Sequence, residues 1–250
     1  MNFFEGVKLV ARSGGRYWRR RDLAAPFPVK FGRRTLELAG EGPGAAATYW
    51  EVCIDDFYGL RSMSHECRPR VVVDIGANIG FFAGLARLRF PTAKIFAYEP
   101  NPAAYRFLEA NLADENVALF PAAVGRTDGV ANFDAGADST LGHLSPDGST
   151  QVAVIGSAHL AGGDDIDLLK LDCEGGEWEI LAEPSLLART RCVIMEYHLT
   201  DGKTWDDLVR LLVAGGHRIE QFRQCSASHG FVRSGNAAAK KSGRETERGK

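Results

Sequence analysis

Apolar and polar stretches alternate along the middle of the chain with the lengths expected of strands and helices. The β-branched run from Val71 to Val73 leads through Asp74 into a turn framed by Gly76 and Gly80, which is typical of a buried parallel strand that ends in a tight turn. Later apolar runs predict further strands at 94–98, 117–121, 166–172 and 192–197. Helical spacing predicts helices at about 79–90 and 102–113, from about 177, and at 205–214. This alternation predicts an α/β fold with a doubly wound, mostly parallel sheet.

Shorter patterns flank this core on both sides. They predict strands at 27–31 and 35–38, a helix at 45–61, extra strands at 130–133 and 151–155, and a terminal hairpin at 217–222 and 230–233. The basic segment 1–25 could form an amphipathic helix, and the tail from Ser234, rich in Ala, Lys, Arg and Gly, is predicted to be disordered. We therefore divide the chain into an N-terminal extension at 1–57 that serves as a lid or substrate platform, a main domain at 58–233 and a basic tail at 234–250.

Composition and charge narrow the class of protein. The chain has 250 residues and no apolar run near the roughly 20 residues that span a bilayer, so we expect a globular cytoplasmic protein. Its five cysteines are scattered without a Cys-x-x-Cys pair, which indicates neither a zinc site nor a disulfide framework. Residues 1–34 carry nine Lys and Arg against two acids and 234–250 carry five against two, so the net charge of −2 leaves the part between them at −12. An acidic body of this kind disfavours a nucleic-acid groove.

The turn after the first strand and the end of the second strand predict a nucleotide-type site. Gly76 and Gly80 let the backbone adopt positive φ and let a ligand approach the main chain, although the same spacing also fits a plain strand-to-helix turn. Glu99 follows the second strand, 25 residues after Asp74. Folds of this kind place an acid there to accept hydrogen bonds from ribose hydroxyls. Because the turn is not Gly-x-Gly-x-x-Gly, a dinucleotide is not the favoured ligand.

Charged side chains also collect at the ends of the fourth and fifth strands. Strand alternation puts Lys170 and Asp172 on one face, and likewise Glu196 and His198. Ligands of doubly wound sheets bind beyond the carboxyl ends of the strands, so Asp172, Glu174, Glu177, Glu196 and His198 are expected to converge near the glycine turn. Lys170 and Glu196 could pair across the two strands, because a lone charge in a central strand is costly. A purely structural role is the alternative for all of these charges, and it is preferred for Lys170.

Five motifs follow one another along the chain. They are Val-Asp-Ile-Gly-Ala-Asn-Ile-Gly at 73–80, Tyr-Glu-Pro-Asn at 98–101, Ala-Ala-Val-Gly at 122–125, Leu-Lys-Leu-Asp-Cys-Glu-Gly-Gly-Glu at 169–177 and Met-Glu-Tyr-His at 195–198. In this order they resemble the FkbM family of S-adenosylmethionine-dependent methyltransferases, over about residues 58–199. The resemblance implies a class I methyltransferase-like (Rossmann-like) fold with a seven-stranded sheet, S-adenosyl-L-methionine as cofactor, and methylation of hydroxyl oxygens on sugars, polyketides and other natural products. It implies a cofactor site formed by Asp74, Gly76, Ala77, Asn78, Gly80, Glu99, Pro100, Asn101, Ala122, Ala123 and Asp172.

Such a reaction needs a group that takes the hydroxyl proton while the cofactor supplies the methyl group. Imidazole titrates near neutral pH, so His198 is the first candidate for that base. Asp172 or Glu174 could orient it, act in its place or position the substrate hydroxyl. The acids permit a metal but do not require one, and none is predicted. Residues 1–57 and 134–160 are expected to cover the acceptor.

Two other functions stay open. One is an RNA ribose methyltransferase that uses Lys170 and Asp172 and is anchored by the basic segment 1–25. The negative net charge of the rest of the chain disfavours this function. The other is a non-catalytic cofactor-binding scaffold, which the complete set of Asp74, Glu99, Asp172 and His198 disfavours. The expected partner is a small hydroxylated molecule, and the sequence does not define the oligomeric state.

Overall fold

The computed structural model describes residues 25–64, 66–136, 142–236 and 238. The predicted amphipathic helix at 1–25 and most of the tail at 234–250 lie outside the described residues. Both stay predictions, as does the division of the chain into extension, main domain and tail.

A hairpin and a helix precede the central sheet and pack onto the main domain. Strands β1 (Phe27–Phe31) and β2 (Arg34–Leu38) pair antiparallel, and helix α1 (Gly42–Tyr49) follows them. The rings of Phe27, Tyr49 and Phe81 meet with their centroids 5.2–5.5 Å apart. This aromatic contact joins the extension to the first helix of the main domain in one hydrophobic core.

The predicted helix at 45–61 is wrong in its second half. After α1 the chain widens into one π-helical turn, Trp50–Ile54, and then leaves helical geometry. The cause is local, because Asp56 adopts a φ of 57° and its carboxylate accepts hydrogen bonds from the N–H groups of Arg61 (2.9 Å) and Ser62 (3.0 Å). A turn closed by a side chain in this way competes with continuation of the helix.

Seven strands form the central sheet. They are β3 (Val71–Ile75), β4 (Lys94–Tyr98), β5 (Val117–Phe120), β10 (Leu168–Leu171), β11 (Cys192–His198), β12 (His217–Gln224) and β13 (His229–Asn236). Their order across the sheet is β12-β13-β11-β10-β3-β4-β5, and all neighbours run parallel except β13, which is antiparallel to both of its partners. The predicted doubly wound, mostly parallel seven-stranded sheet is confirmed.

Helices cover both faces of this sheet. Helices α2 (Phe81–Arg89) and α3 (Pro102–Leu112) pack with the extension on one face, and α4 (Glu177–Leu181), α5 (Pro184–Ala188) and α6 (Trp205–Ala214) pack on the other. Helix α2 begins two residues later than predicted because Gly80, at a φ of 101°, precedes it in a left-handed conformation. Asn101 caps α3 by accepting a hydrogen bond from the Ala103 N–H at 3.0 Å. None of the described helices is long and apolar enough to cross a membrane.

The chain between β5 and β10 forms a second, smaller sheet. It contains β6 (Ala122–Gly125), β7 (Gly129–Asp134), β8 (His143–Leu144) and β9 (Thr150–Gly156) in the order β6-β9-β7-β8. The strands predicted at 130–133 and 151–155 are confirmed as β7 and β9. The pattern misses β6, a run of small residues, and β8, which has only two residues.

The terminal hairpin is longer than predicted. Strand β13 continues to Asn236, so residues 234–236 belong to the sheet and not to a disordered tail. Burial explains the difference, because the Ser234 hydroxyl lies 3.1 Å from His217 Nδ1 and the Asn236 side chain donates to the carbonyl of Leu187 at 3.4 Å. The sequence predicts that these polar residues are exposed to solvent, but in the fold they are buried and form hydrogen bonds.

Candidate active site

A cavity of about 970 Å³ opens at the carboxyl ends of β3, β4, β10 and β11. Ligands are expected at this edge of a doubly wound sheet. The volume lies at the upper end of the range of about 300–1,000 Å³ found for small-molecule sites. The cavity therefore has room for a nucleotide-sized ligand and a second molecule. Its remaining walls come from α1 with the π-helical turn, the start of α2, the small sheet, α4 and the loop that follows β11.

The glycine turn forms the floor of the cavity. The N–H groups of Gly76 and Ala77 both donate to the carbonyl of Tyr98, at 3.0 Å each, which ties the end of β3 to the end of β4. Gly76 has a φ of 74°, and a Cβ added to it would lie 1.8 Å from the carbonyl oxygen of Asp172. No side chain fits between these two strand ends, so position 76 requires glycine, and Gly76 itself lines the cavity.

Glu99 lies beside this turn and holds two loops together. One of its carboxylate oxygens accepts from the N–H of Asn78 at 2.7 Å, and the other accepts from the N–H of Asn101 at 2.8 Å. Burial raises the pKa of Glu99 to about 7, although both backbone hydrogen bonds lower it. Each carboxylate oxygen has a second acceptor position, so Glu99 can still accept hydrogen bonds from a diol in the cavity.

The predicted cofactor residues fall into two groups. Those that line the cavity are Gly76, Ala77, Asn78, Glu99, Pro100, Ala122, Ala123 and Asp172. Asp74, Gly80 and Asn101 are not among the lining residues. These three shape the loops beneath the cavity, and direct cofactor contact by them stays a prediction.

Asp74 supports the turn through Lys170. The Asp74 carboxylate is fully buried, with its Oδ1 3.1 Å from Lys170 Nζ. The same ammonium group donates to the carbonyls of Ile75 (3.2 Å) and Gly76 (2.7 Å). Burial raises the pKa of Asp74 more than the charge of Lys170 lowers it. The predicted pair of Lys170 with Glu196 is wrong, because the strand register places Ile194 opposite Lys170.

Of the predicted catalytic residues, Asp172 and Glu174 line the cavity and His198 does not. His198 Nδ1 lies 3.4 Å from Glu177 Oε1, and its Nε2 lies 3.6 Å from Glu174 Oε2. Burial alone would lower the pKa of His198, but the hydrogen bond to Glu177 and the charges of Glu177, Glu174 and Glu196 outweigh burial and raise this pKa to about 9. An imidazole that is already protonated at neutral pH is a poor proton acceptor, so the raised pKa disfavours His198 as the base. The role of His198 as the base stays a prediction.

Glu177 organises the loop after β10. Its carboxylate is almost completely buried and accepts from the N–H groups of Cys173 and Gly175, at 3.1 Å each. Within this loop Glu174 adopts a φ of 50°, a left-handed conformation that is uncommon for residues other than glycine. The loop is therefore held in a specific shape that presents Glu174 to the cavity.

Sequence reasoning missed two residues of this site. Tyr58 is buried, and its hydroxyl donates to Asp172 Oδ2 at 2.7 Å across 114 positions of the chain. Glu51 lies in the π-helical turn and faces the cavity. A single acid among Tyr49, Trp50, Val52 and Cys53 was a signal for Glu51, whereas no local pattern points to Tyr58.

The strand order and the position of the cavity are those of the class I methyltransferase fold. The chain belongs to the FkbM family, since the family profile "Methyltransferase FkbM domain" matches residues 74–232. It is an S-adenosylmethionine-dependent methyltransferase.

Two relatives align with most of the chain. The 31-O-demethyl-FK506 methyltransferase FkbM of Streptomyces tacrolimicus is 30% identical, over 72% of this chain and 84% of that protein. The hexuronic acid methyltransferase AglP of Haloferax volcanii is 26% identical, over 82% of this chain and 88% of that protein. Among solved structures, TYW2 of M. jannaschii in complex with AdoMet covers 85% of this chain with a TM-score of 0.45 and 12% identity, a likeness too distant to inform function.

The cavity residues fit S-adenosylmethionine. Glu99 offers acceptor positions for ribose hydroxyls, and the open backbone at Gly76 allows close approach of the amino-acid part of the cofactor. Ala122 and Ala123 line the same cavity and carry no side chain larger than a methyl group, which leaves space for a flat base. When bound, the cofactor supplies the reactive methyl group, and the protein supplies orientation and charge.

Glu99→Gln is expected to weaken binding of S-adenosylhomocysteine at least tenfold. A hydrogen bond to a charged group contributes about 1.5–3 kcal/mol, and the amide NH₂ would also face one of the two backbone N–H groups that Glu99 accepts from. Isothermal titration calorimetry measures the change. Glu109→Gln, at an exposed position on α3, is the matched control and should bind like the wild type. Equal affinities for all three proteins would show that Glu99 does not hold the cofactor.

Proposed function

We propose that this enzyme methylates a hydroxyl oxygen on a sugar, polyketide or other natural product. The observation that carries the proposal is the row of carboxylates at the ends of β10 and β11, beside the glycine turn. Asp172, Glu174 and Glu196 all line the cavity there. Carboxylates accept hydrogen bonds from hydroxyl groups and can take their protons. The names of the two relatives agree with this reading, one specifying a 31-O position and the other a hexuronic acid.

Methyl transfer is an in-line displacement in which the acceptor oxygen must lie close to the methyl carbon. The protein's part is to hold the oxygen in line and to receive its proton. Asp172 is well placed to orient the hydroxyl, since Tyr58 fixes one of its oxygens and leaves the other free to face the acceptor. Glu174, held by the loop after β10, offers a second acceptor group for the hydroxyls of a polyol.

Two segments enclose the region proposed for the acceptor. Ala47, Thr48 and Val52 of the extension line the cavity, and so do His143 and Leu144 of the small sheet. These positions support the expectation that residues 1–57 and 134–160 cover the acceptor. A mixed apolar and carboxylate surface suits a partly apolar molecule that carries hydroxyls.

RNA is a less suitable acceptor for this cavity. The lining contains seven acidic side chains against three lysines and arginines. A phosphate backbone needs positive charge along its path, so the acidic lining favours a small acceptor over a polyanion.

Incubation with S-adenosylmethionine that carries a ¹³C-labelled methyl group tests the proposal. We expect products heavier by the mass of one labelled CH₂ unit, with a carbon resonance of a methoxy group, from a panel of hydroxylated macrolides, sugars and uronic acids. Analogues whose hydroxyl is replaced by hydrogen are the control and should stay unlabelled. Label found in N-methyl or C-methyl groups, or in RNA, would refute O-methylation of a small acceptor.

A further inference from the structure

Two carboxylates lie on neighbouring strands at the cavity edge of the central sheet. The register between β10 and β11 pairs Leu171 with Met195, so Asp172, which directly follows β10, lies at the same level as Glu196, two residues before the end of β11. Both side chains reach the cavity. Like charges this close cannot both be stable unless their surroundings differ.

The surroundings of the two carboxylates do differ. Asp172 accepts the Tyr58 hydroxyl hydrogen bond at 2.7 Å and lies 3.7 Å from Lys170 Nζ, so its negative charge is compensated. Among the residues that the structure describes, no hydrogen bond or ion pair reaches the Glu196 carboxylate. The opposite residue on β13 is Phe231, which offers no polar group. Paired carboxylates with such unequal environments commonly divide the roles of charged and protonatable partner.

We propose that Glu196 is the catalytic residue that accepts the proton of the acceptor hydroxyl. This inference rests on the proposed function, since it assumes a hydroxyl acceptor. In the transfer the acceptor oxygen forms its bond to the methyl carbon while the sulfur–methyl bond breaks and leaves its electron pair on sulfur. The hydroxyl proton passes to the Glu196 carboxylate, and Asp172 stays charged and orients the hydroxyl.

The charged groups around Glu196 support this role. Burial raises the pKa of Glu196 to about 8, and Asp172 at the end of β10, Glu51 in the π-helical turn and Glu174 in the following loop act in the same direction. The charge of His198, two residues along the same strand, lowers this pKa. A base works best when its pKa is near the working pH. His198 is then a positioning residue, a cation that holds Glu174 and Glu177.

The first test needs no acceptor. In protein labelled with ¹³C at the glutamate side-chain carboxyl, one resonance should titrate with a midpoint near pH 8 and should be missing from Glu196→Gln. The pH dependence of stability gives an independent readout. Because the folded-state pKa is raised above the unfolded value of 4.5, the unfolded state releases this proton first, and the stability of the wild type falls from about pH 4.5 to pH 8. Glu196→Gln should therefore have a higher Tm than the wild type at pH 8.5 and an equal Tm at pH 5. A carboxyl that titrates below pH 6 would overturn the proposal.

The second test measures turnover with an acceptor that the ¹³C-methyl panel identifies. Glu196→Gln should lower kcat by about 10²-fold or more, with the affinity for S-adenosylhomocysteine changed less than twofold. The kcat of the wild type should fall as the pH decreases below about 8, and Glu196→Gln should not show this decrease. His198→Asn should still show it. Glu37→Gln, at an exposed position on β2, should behave as the wild type. Near-normal kcat in Glu196→Gln, with O-methyl product still formed by the wild type, would refute the role of Glu196 and leave the proposed function intact.

Discussion

Lys170→Met is expected to lower the free energy of unfolding by about 3–5 kcal/mol at pH 7, the range for removal of one partner from a buried ion pair. The variant leaves Asp74 as an uncompensated charge with no exposed surface. It also removes the donor to the carbonyls of Ile75 and Gly76. Methionine fills a similar volume, so the loss reports mainly on charge and hydrogen bonding. Urea denaturation followed by circular dichroism measures it.

A second substitution separates charge from packing. Asp74→Asn in the Lys170→Met background removes the unpaired carboxylate, so the double variant should regain more than half of the lost stability. Burial alone would lower the pKa of Lys170, but Asp74 and Asp172 raise it above 10.5. The stabilisation by Lys170 is therefore complete below about pH 10.5, and the defect should be present throughout pH 6–9. Lys94→Met, at an exposed position, should change stability by less than about 0.5 kcal/mol. A double variant no more stable than Lys170→Met would contradict this account.

Gly76→Ala is expected to destabilise the protein by about 2–5 kcal/mol, the sum of a left-handed backbone cost and an overpacking cost. The added methyl group would overlap the carbonyl oxygen of Asp172, which belongs to the backbone and cannot rotate away. Strands β3 and β10 would have to separate at the floor of the cavity. Binding of S-adenosylhomocysteine should weaken together with stability, as calorimetry and thermal denaturation can measure.

Gly32→Ala separates the two costs. Gly32 also has a positive φ, 59°, but no atom lies within 4 Å of the position of an added Cβ. This control should lose about 1–2 kcal/mol from backbone strain alone and should bind the cofactor normally. Equal losses at both positions would mean that the contact with Asp172 does not limit position 76.

The fold could be predicted from the sequence where local patterns and tertiary packing agree. The β-branched run at Val71 and the apolar run in Lys94–Tyr98 match β3 and β4 residue for residue, because buried parallel strands need apolar side chains on both faces. The prediction of a helix up to residue 61 was wrong because a single side chain, Asp56, closes a turn that competes with the helix. The predicted end of the terminal hairpin was wrong because Ser234 and Asn236 have buried partners that lie far away in the sequence.

The site could be predicted only as far as strand ends could be placed. Sequence spacing brought Asp172, Glu174 and the glycine turn to one edge, and the structure agrees. It could not supply the register between β10 and β11, which pairs Asp172 with Glu196 and leaves Lys170 to Asp74. It also could not supply Tyr58, since a hydrogen bond across 114 positions leaves no periodic trace. Long-range polar contacts of this kind appear only in three dimensions.

Calorimetric titration of the wild-type protein with S-adenosylhomocysteine and, separately, with NAD tests the central claim most directly. The claim is that the cavity at the carboxyl ends of β3, β4 and β10 is a site for S-adenosylmethionine, built around Gly76 and Glu99. We predict saturable binding of S-adenosylhomocysteine with one site per chain and no binding of NAD. Binding of NAD without binding of S-adenosylhomocysteine or S-adenosylmethionine would contradict the claim.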